Sequence, residues 1–347
     1  MVNPAKWEMD AFEDYKDHVT WQKEIESENI DQRQLVLLFS KCSQLHSVKF
    51  RIQHHPPVNC NVREQATPGT GVYPLGDYDR SRALIGNEQL LNLCYALHAT
   101  GKALRHLSVS EIGWEFFAKR NEEALLRLQT TVTPLHDLRL RFRSVPMRDR
   151  GFRDDNDEER EEAYYNLNRG AVCELLSAAR NLRTLKLRMS ANDTQLRLNS
   201  IDTSRGTDAE LDALVGTCTW PKLRKLAIGN VKASEDTLTM FLLRHQATLC
   251  SLSLANIELT KGAWSLVFAR IGGKFPRLRR VRLRGIFQYD IEDSDDEGTQ
   301  DPEFLSMRDS RTSRDCASVE RGILHGADWP RVFDEMDEWS KDEDATL

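Results

Sequence analysis

Long apolar runs are missing from this sequence. No stretch approaches the roughly 18 apolar residues that a membrane-spanning helix needs, and the first 30 residues are polar and acidic, unlike an export signal. With 48 Lys and Arg against 54 Asp and Glu, the net charge is −6. We therefore expect a cytoplasmic or nuclear protein with no membrane contact.

Paired cysteine motifs are missing as well. The chain has seven cysteines but no Cys-x-x-Cys, the spacing typical of structural zinc sites. Five of the seven fall in helix-like or strand-like segments, where a free thiol packs as a small apolar group. They are Cys42, Cys94, Cys173, Cys218 and Cys250. We expect buried free thiols rather than a disulfide framework or a metal site.

Catalytic signatures are also absent. The chain has no Gly-x-Ser-x-Gly, no His-Glu-x-x-His and no phosphate-binding glycine loop. His54 and His55 precede two prolines without a nearby carboxylate or thiol, and the acidic cluster at 154–159 lies in a charged, loop-like stretch. We therefore predict that the protein is not an enzyme and has no cofactor or metal.

One apolar phrase recurs three times between residues 221 and 285. Its copies are Leu223-x-x-Leu226-x-Ile228, Leu249-x-x-Leu252-x-Leu254 and Leu278-x-x-Val281-x-Leu283. They start 26 residues (249 − 223) and 29 residues (278 − 249) apart, the interval of a leucine-rich repeat with one strand and one helix. The last two apolar residues of each phrase share one strand face, and the segments between phrases have helical apolar spacing.

Looser copies of the phrase extend the pattern towards the N-terminus. The seven copies start at Leu45, Leu104, Leu135, Leu182, Leu223, Leu249 and Leu278. They predict an irregular α/β leucine-rich-repeat solenoid of about seven repeats, with parallel strands on the concave face and helices on the convex face. Residues 48, 107, 138, 185, 226, 252 and 281 should then lie side by side in one sheet.

The chain divides into four parts by composition. Residues 1–30 have a loosely helical pattern and are expected to form an N-terminal capping helix. Residues 31–287 form the solenoid, with loop insertions near 51–86, 144–167 and 189–206. Residues 288–318 are acidic and expected to be disordered, and 319–347 should form an acidic amphipathic helix.

Two phrases carry a family resemblance. Cys42-x-x-Leu45-x-x-Val48-x-Phe50 and Ala179-x-x-Leu182-x-x-Leu185-x-Leu187 resemble the cysteine-containing repeats of F-box proteins, and the irregular, charged insertions are similar to those of fungal members. The resemblance covers about residues 31–287. It implies a substrate-recognition arm of a cullin-type ubiquitin ligase. Nothing before Asp31 resembles an F-box, so the link to the ligase is left open.

The strand positions between the apolar ones are rich in basic residues. Ten of 21 such positions are Lys or Arg, against 48 of 347 in the whole chain, and one is acidic. The ten are Lys49, Arg51, Arg139, Arg141, Lys186, Arg188, Lys225, Arg280, Arg282 and Arg284. They predict a positive sheet face on a net acidic protein.

This face has two interpretations. It is a binding surface for an acidic protein partner or phosphopeptide, or it is a solvated face that discourages strand pairing between molecules. The chain's own acidic segment 290–303 is a further candidate ligand. Nucleic acid is disfavoured as a partner because the 21 positions include no aromatic residue for base stacking. We predict a non-catalytic scaffold for protein–protein interaction, with an acidic-peptide- or nucleic-acid-binding module as the alternative.

Overall fold

The computed structural model describes residues 16–17, 20, 28–51, 78–118, 121–142, 162–189, 209–289, 304–307 and 314–326. Its strands are β1 (Ser47–Arg51), β2 (His106–Ile112), β3 (Asp137–Phe142), β4 (Thr184–Met189), β5 (Lys225–Ser234), β6 (Ser251–Lys261), β7 (Arg280–Tyr289) and β8 (Phe304–Met307). Its main helices are α1 (Ile30–Lys41), α2 (Tyr78–Ala99), α3 (Glu122–Val132), α4 (Ala171–Ala178), α5 (Leu211–Val215), α6 (Glu235–Leu243), α7 (Trp264–Ile271) and α8 (Arg314–His325).

All eight strands form one sheet whose order is the order of the chain. Strands β1 to β7 are parallel, and β8 pairs antiparallel with the second half of β7. The seven residues predicted to lie side by side are paired across adjacent strands. From β1 to β7 they are Val48, Leu107, Leu138, Leu185, Leu226, Leu252 and Val281. The prediction of an α/β fold with one parallel sheet in this register is confirmed.

The apolar strand residues and the helices enclose one core. Leu138, Leu185 and Leu252 are fully buried, while the residues on either side of them point away from the core. Each helix packs against the next one along the chain, from α1 to α8. A single strand–helix unit cannot bury its own apolar face, so the units stack and the core runs continuously through them.

A backbone ladder joins the strands where they begin, at a border that we call the amino edge of the sheet. The first leucine of each phrase is fully buried in the middle of the array, as at Leu135 and Leu182. The N–H of the following residue donates to the carbonyl of its counterpart in the preceding unit. The steps include Arg183 to His136 at 2.8 Å and Arg224 to Arg183 at 2.8 Å. These bonds hold successive units at one level.

The opposite border, where the strands end, is the carboxyl edge. Strands β5 and β6 continue there through Asn230 and Asn256, which adopt left-handed φ values of 58° and 48°, a conformation that asparagine tolerates. The Asn256 side-chain N–H donates to the Asn230 side-chain oxygen at 2.7 Å, and Asn230 donates to the Met189 carbonyl. In β5, the buried positions change from Leu226 and Ile228 to Val231 and Ala233 beyond this point.

The C-terminal segment differs from the expectation of disorder over residues 288–318. Strand β7 extends to Tyr289, residues 304–307 form β8, and α8 starts at Arg314. Both β8 and α8 contact β7, which would otherwise be an edge strand with a row of unpaired backbone groups. The acidic composition of the segment concealed a strand that extends the sheet and a helix that packs beside β7. Residues 290–303 lie outside the described residues.

The expected insertions are shorter than predicted where the structure describes them. Helix α2 starts at Tyr78, within the expected 51–86 loop, and residues 162–168 are helical within the expected 144–167 loop. Asn87 lies inside α2, where its side chain accepts from the Gly113 N–H and donates to Glu115, both at 3.1 Å. The insertion near 189–206 begins at the end of β4, and residues 190–208 lie outside the described residues.

The ends of the chain are described in part. Most of the predicted N-terminal helix over 1–30 lies outside the described residues, as do residues 327–347 of the predicted C-terminal helix. Residues 319–325 belong to α8. Within the described ranges, no helix combines the length and apolarity that crossing a membrane requires.

Candidate functional site

The ten basic residues predicted from the sequence all project from the sheet face opposite the helices, and all are exposed. We call this surface the basic face. Its side chains form three rows across the strands. The rows begin at Ser47, Lys49 and Arg51 on β1 and end at Arg280, Arg282 and Arg284 on β7. The parallel register therefore collects residues that are up to 235 positions apart (284 − 49) on one surface.

The charge on the basic face is unevenly distributed. Strands β3 and β4 present four basic side chains, and β7 presents three, whereas β5 and β6 between them present mostly small residues. The small residues are Ala227, Gly229, Ser251, Ser253 and Ala255. We call this region the central trough. The strands on its two sides are three strand spacings apart, about 14 Å, so the trough has basic side chains along both sides.

Arg188 occupies one side of this trough. A Cβ on Gly229 would lie 3.2 Å from Cγ and 3.3 Å from Nε of Arg188, so the arginine side chain lies over the glycine. Burial, followed by the positive charges of Arg141 and Arg284, lowers the pKa of Arg188. An arginine remains charged at any physiological pH. Arg141, Arg188 and Arg284 therefore lie near enough to one another for their charges to interact.

Part of the positive charge is already paired. Arg139 donates to both carboxylate oxygens of Asp137, at 2.9 and 2.8 Å. These hydrogen bonds raise the pKa of Arg139. Asp137 is the acidic position among the 21, so this pair reduces the net charge that β3 contributes to the basic face.

Sequence analysis missed a further group of basic residues at the amino edge. These residues follow the first leucine of their phrases and form the backbone ladder. They are His46, Arg105, His136, Arg183, Arg224 and Arg279. Burial, followed by the charges of Arg183 and Arg105, lowers the pKa of His136. Their constant offset in the phrase is a signal that could have revealed them, and they place further basic residues along the amino edge of the sheet.

An acidic residue lies beside the β7 end of the basic face. The Glu320 carboxylate on α8 accepts a hydrogen bond from the Leu283 N–H at 2.8 Å. Burial raises the pKa of Glu320, while this bond and the charges of Arg282 and Arg284 act in the opposite direction. Glu320 therefore covers a backbone donor of β7 and lowers the positive potential at this end of the sheet.

Other chemistry is sparse among the described residues. They contain no group of three or more His, Cys, Asp and Glu side chains that could hold a metal ion. The five predicted thiols are free, but only Cys94 and Cys218 are buried, whereas Cys42, Cys173 and Cys250 are partly exposed. Cys173 and Cys218 lie close together, which their sequence positions did not indicate. The acidic segment 290–303, a candidate ligand of the basic face, lies outside the described residues.

Comparison with known proteins adds no precedent for the basic face. No family model, curated protein or solved structure matches the chain, and the functional assignment must therefore come from the geometry and charge of the surface itself.

Proposed function

We propose that the protein is a non-catalytic recognition module, an irregular leucine-rich-repeat solenoid whose basic face binds an acidic segment of a partner protein. The observation that carries this proposal is the in-register collection of ten exposed Lys and Arg residues on a chain of net charge −6. A positively charged surface on a protein of negative net charge attracts a negatively charged ligand, and it does not add to the net charge that keeps the protein in solution.

The central trough supports a peptide as the ligand. Its width of about 14 Å between strands accommodates an extended strand or a helix, whose diameter is about 10–12 Å. The small residues Ala227 and Ser253 are partly exposed on the floor of the trough, where they leave room for a peptide, and basic side chains on both sides would contact carboxylates. The partner class is therefore an acidic peptide segment that lies along the trough.

A double charge reversal tests this proposal. Arg188→Glu with Arg282→Glu changes both sides of the trough. Lys41→Glu with Lys274→Glu makes the same change in net charge at exposed positions off the basic face. Binding of a fluorescein-labelled glutamate-rich peptide, followed by anisotropy at low salt, should weaken about tenfold or more in the first variant, which corresponds to about 1.4 kcal/mol. It should change little in the second.

Equal weakening in both variants would show a non-specific effect of net charge and would reject the basic face as the site. Circular dichroism on each variant checks that the fold is retained. A labelled single-stranded oligonucleotide tests the alternative partner, because its affinity would fall steeply with salt and with similar slope for every sequence. Tighter binding of the oligonucleotide than of the peptide would favour that alternative.

The ligase link implied by the family resemblance is a separate part of the proposal. Affinity purification of the full chain followed by mass spectrometry tests it. Recovery of cullin adaptor proteins would support a substrate-recognition arm. Their absence, with an acidic partner still bound, would favour an autonomous scaffold.

A further inference from the structure

Two cysteines from successive repeats meet beside the core. Cys173 lies on α4 and Cys218 lies in the turn after α5, 45 residues later (218 − 173). Their Sγ atoms are 3.7 Å apart. A disulfide bond has an S–S distance of about 2.05 Å, so bond formation needs the sulfurs to approach by about 1.7 Å, which is within the range of side-chain rotation.

The surrounding residues are arranged closely around these two sulfurs. The Ser177 Oγ lies 2.9 Å from the Cys218 Sγ and donates to the Cys173 carbonyl at 2.7 Å. Gly216 ends α5 with a φ of 45°, and a Cβ on it would lie 2.9 Å from the Cys173 Sγ. The backbone turn therefore passes over Cys173 at a distance that only glycine permits without a shift.

A small reagent can reach the pair from outside. Cys173 is partly exposed, and a cavity of about 340 Å³ lies along Cys218. Ser177, Arg180 and Trp220 contribute to its walls.

The two thiols differ in their surroundings. Burial is the largest influence on Cys218 and raises the pKa of its thiol to about 11, although the Ser177 hydrogen bond and the charge of Arg244 act in the opposite direction. Cys218 is therefore protonated at neutral pH. The more exposed Cys173 is placed to meet the reagent first, and Cys218 is placed to react second.

We propose that Cys173 and Cys218 form a redox-active dithiol site that a low-molecular-weight disulfide such as oxidised glutathione converts to an internal disulfide. The Cys173 thiolate attacks one sulfur of the reagent, forms a mixed disulfide and releases one reduced thiol. The Cys218 thiol then loses its proton and attacks the Cys173 sulfur, which releases the second reduced thiol. Two protein thiols are oxidised and one reagent disulfide is reduced.

The bond would connect α4 to the turn that leads into β5. The 45-residue segment that it closes includes residues 190–208, one of the long insertions of the chain. Closing a loop of this length restricts the unfolded chain and stabilises the folded one. The oxidised protein should therefore unfold at a higher temperature than the reduced protein, with the basic face unchanged.

The test incubates the full chain with oxidised glutathione at pH 7, 8 and 9. Intact mass should fall by the mass of two hydrogen atoms, and peptide mapping should find Cys173 linked to Cys218. The rate should rise with pH because a thiolate is the attacking group in both steps, and a larger fraction of Cys218 is deprotonated at higher pH. The melting temperature should rise and return to its starting value with dithiothreitol.

Single substitutions separate the two steps. Cys218→Ala should stop at the mixed disulfide and keep one glutathione on Cys173, whereas Cys173→Ala should form neither product. Cys250→Ala is the matched control and should oxidise as the natural chain does. A stable glutathione adduct on the natural chain, a link between other cysteines, or no change in mass would overturn the proposal. The mapping of the natural chain decides the question even if a variant fails to fold.

Discussion

The amino and carboxyl edges of the sheet differ in how regular their connections are. At the amino edge, each helix reaches the next strand through a short connection, and the backbone ladder repeats with nearly constant distances of 2.8 to 2.9 Å. At the carboxyl edge, β5 passes directly into α6, whereas the segments 52–77, 143–161 and 190–208 follow β1, β3 and β4 and lie outside the described residues. One edge is uniform and the other is variable.

This difference separates the part of each repeat that sets register from the part that tolerates change. The buried first leucine and the ladder residue directly precede each strand and fix its position beside the neighbouring strand. An insertion between them and the helix would therefore displace the contacts of the strand that follows. A length change after the strand adds chain at the surface, where loop closure costs only about 0.6 kcal/mol for each doubling. In the chain, the long segments follow strands, and short connections precede strands.

Matched insertions at the two edges test this difference and should give the largest effect. A Gly-Ser-Gly-Ser insert between Thr248 and Leu249 separates Leu249 from the preceding turn, where the Leu249 N–H donates to the His245 carbonyl at 3.0 Å. It should lower the free energy of unfolding by about 3 kcal/mol or more, from lost burial and lost hydrogen bonds. Urea denaturation measures the change.

The control carries the same insert within 143–161, after β3, where we expect a loss below about 1 kcal/mol. Similar losses at both sites would remove the distinction between the edges.

Substitutions of Asn256 test the left-handed backbone conformation at the carboxyl edge and should have an intermediate effect on stability. Asn256→Ala places alanine in the left-handed region, at about 1–2 kcal/mol, and removes the hydrogen bond to Asn230. We expect a total loss of about 2–4 kcal/mol in urea denaturation. Asn256→Gly keeps the backbone conformation and should lose less. If glycine and alanine were equally destabilising, the left-handed φ would not be the cause.

A pH titration examines the amino edge through His245 and should give the smallest effect. The ring is buried between the Phe241 carbonyl, 3.0 Å from Nδ1, and the Trp220 N–H, which donates to Nε2 at 3.1 Å. This arrangement requires the neutral ring, and burial, with a smaller contribution from Arg244, lowers the pKa of His245 from 6.5. The unfolded chain then binds more protons below pH 6.5.

Stability should therefore be complete above about pH 6.5 and decline as the pH falls from there towards the folded-state pKa. Urea denaturation between pH 7.5 and 5.5 measures this slope, which should be smaller in His245→Gln. An unchanged slope in that variant would assign the pH dependence to other groups, such as His136.

The strands are the part of the fold that sequence analysis could predict, although it missed the basic residues of the amino edge. The leucines at fixed spacing predicted the register of seven strands and placed all ten basic residues on one face, because period-2 alternation follows directly from strand geometry. The carboxyl edge escaped prediction. A left-handed Asn230 shifts the alternation in a way that composition does not reveal, and β8 depends on pairing with β7 rather than on its own four residues.

In the candidate site, too, some features could be predicted from the sequence and others could not. Arg188 and Arg282 could be assigned to the basic face from spacing alone, but the placement of Arg188 over Gly229 depends on side-chain packing between strands. The meeting of Cys173 and Cys218 could not be predicted because it depends on how α4 packs against the turn after α5. Spacing within a repeat is visible in sequence, and contacts between repeats are not.

The reversed direction of β8 gives the array a terminus. A parallel stack presents the same unpaired backbone groups after every added unit, and nothing in its repeating geometry limits its growth. Here, an antiparallel strand pairs with Gly285–Gln288, and Glu320 takes the Leu283 N–H of the same border. Polymerisation of one molecule onto the β7 side of another would first require both of these contacts to open.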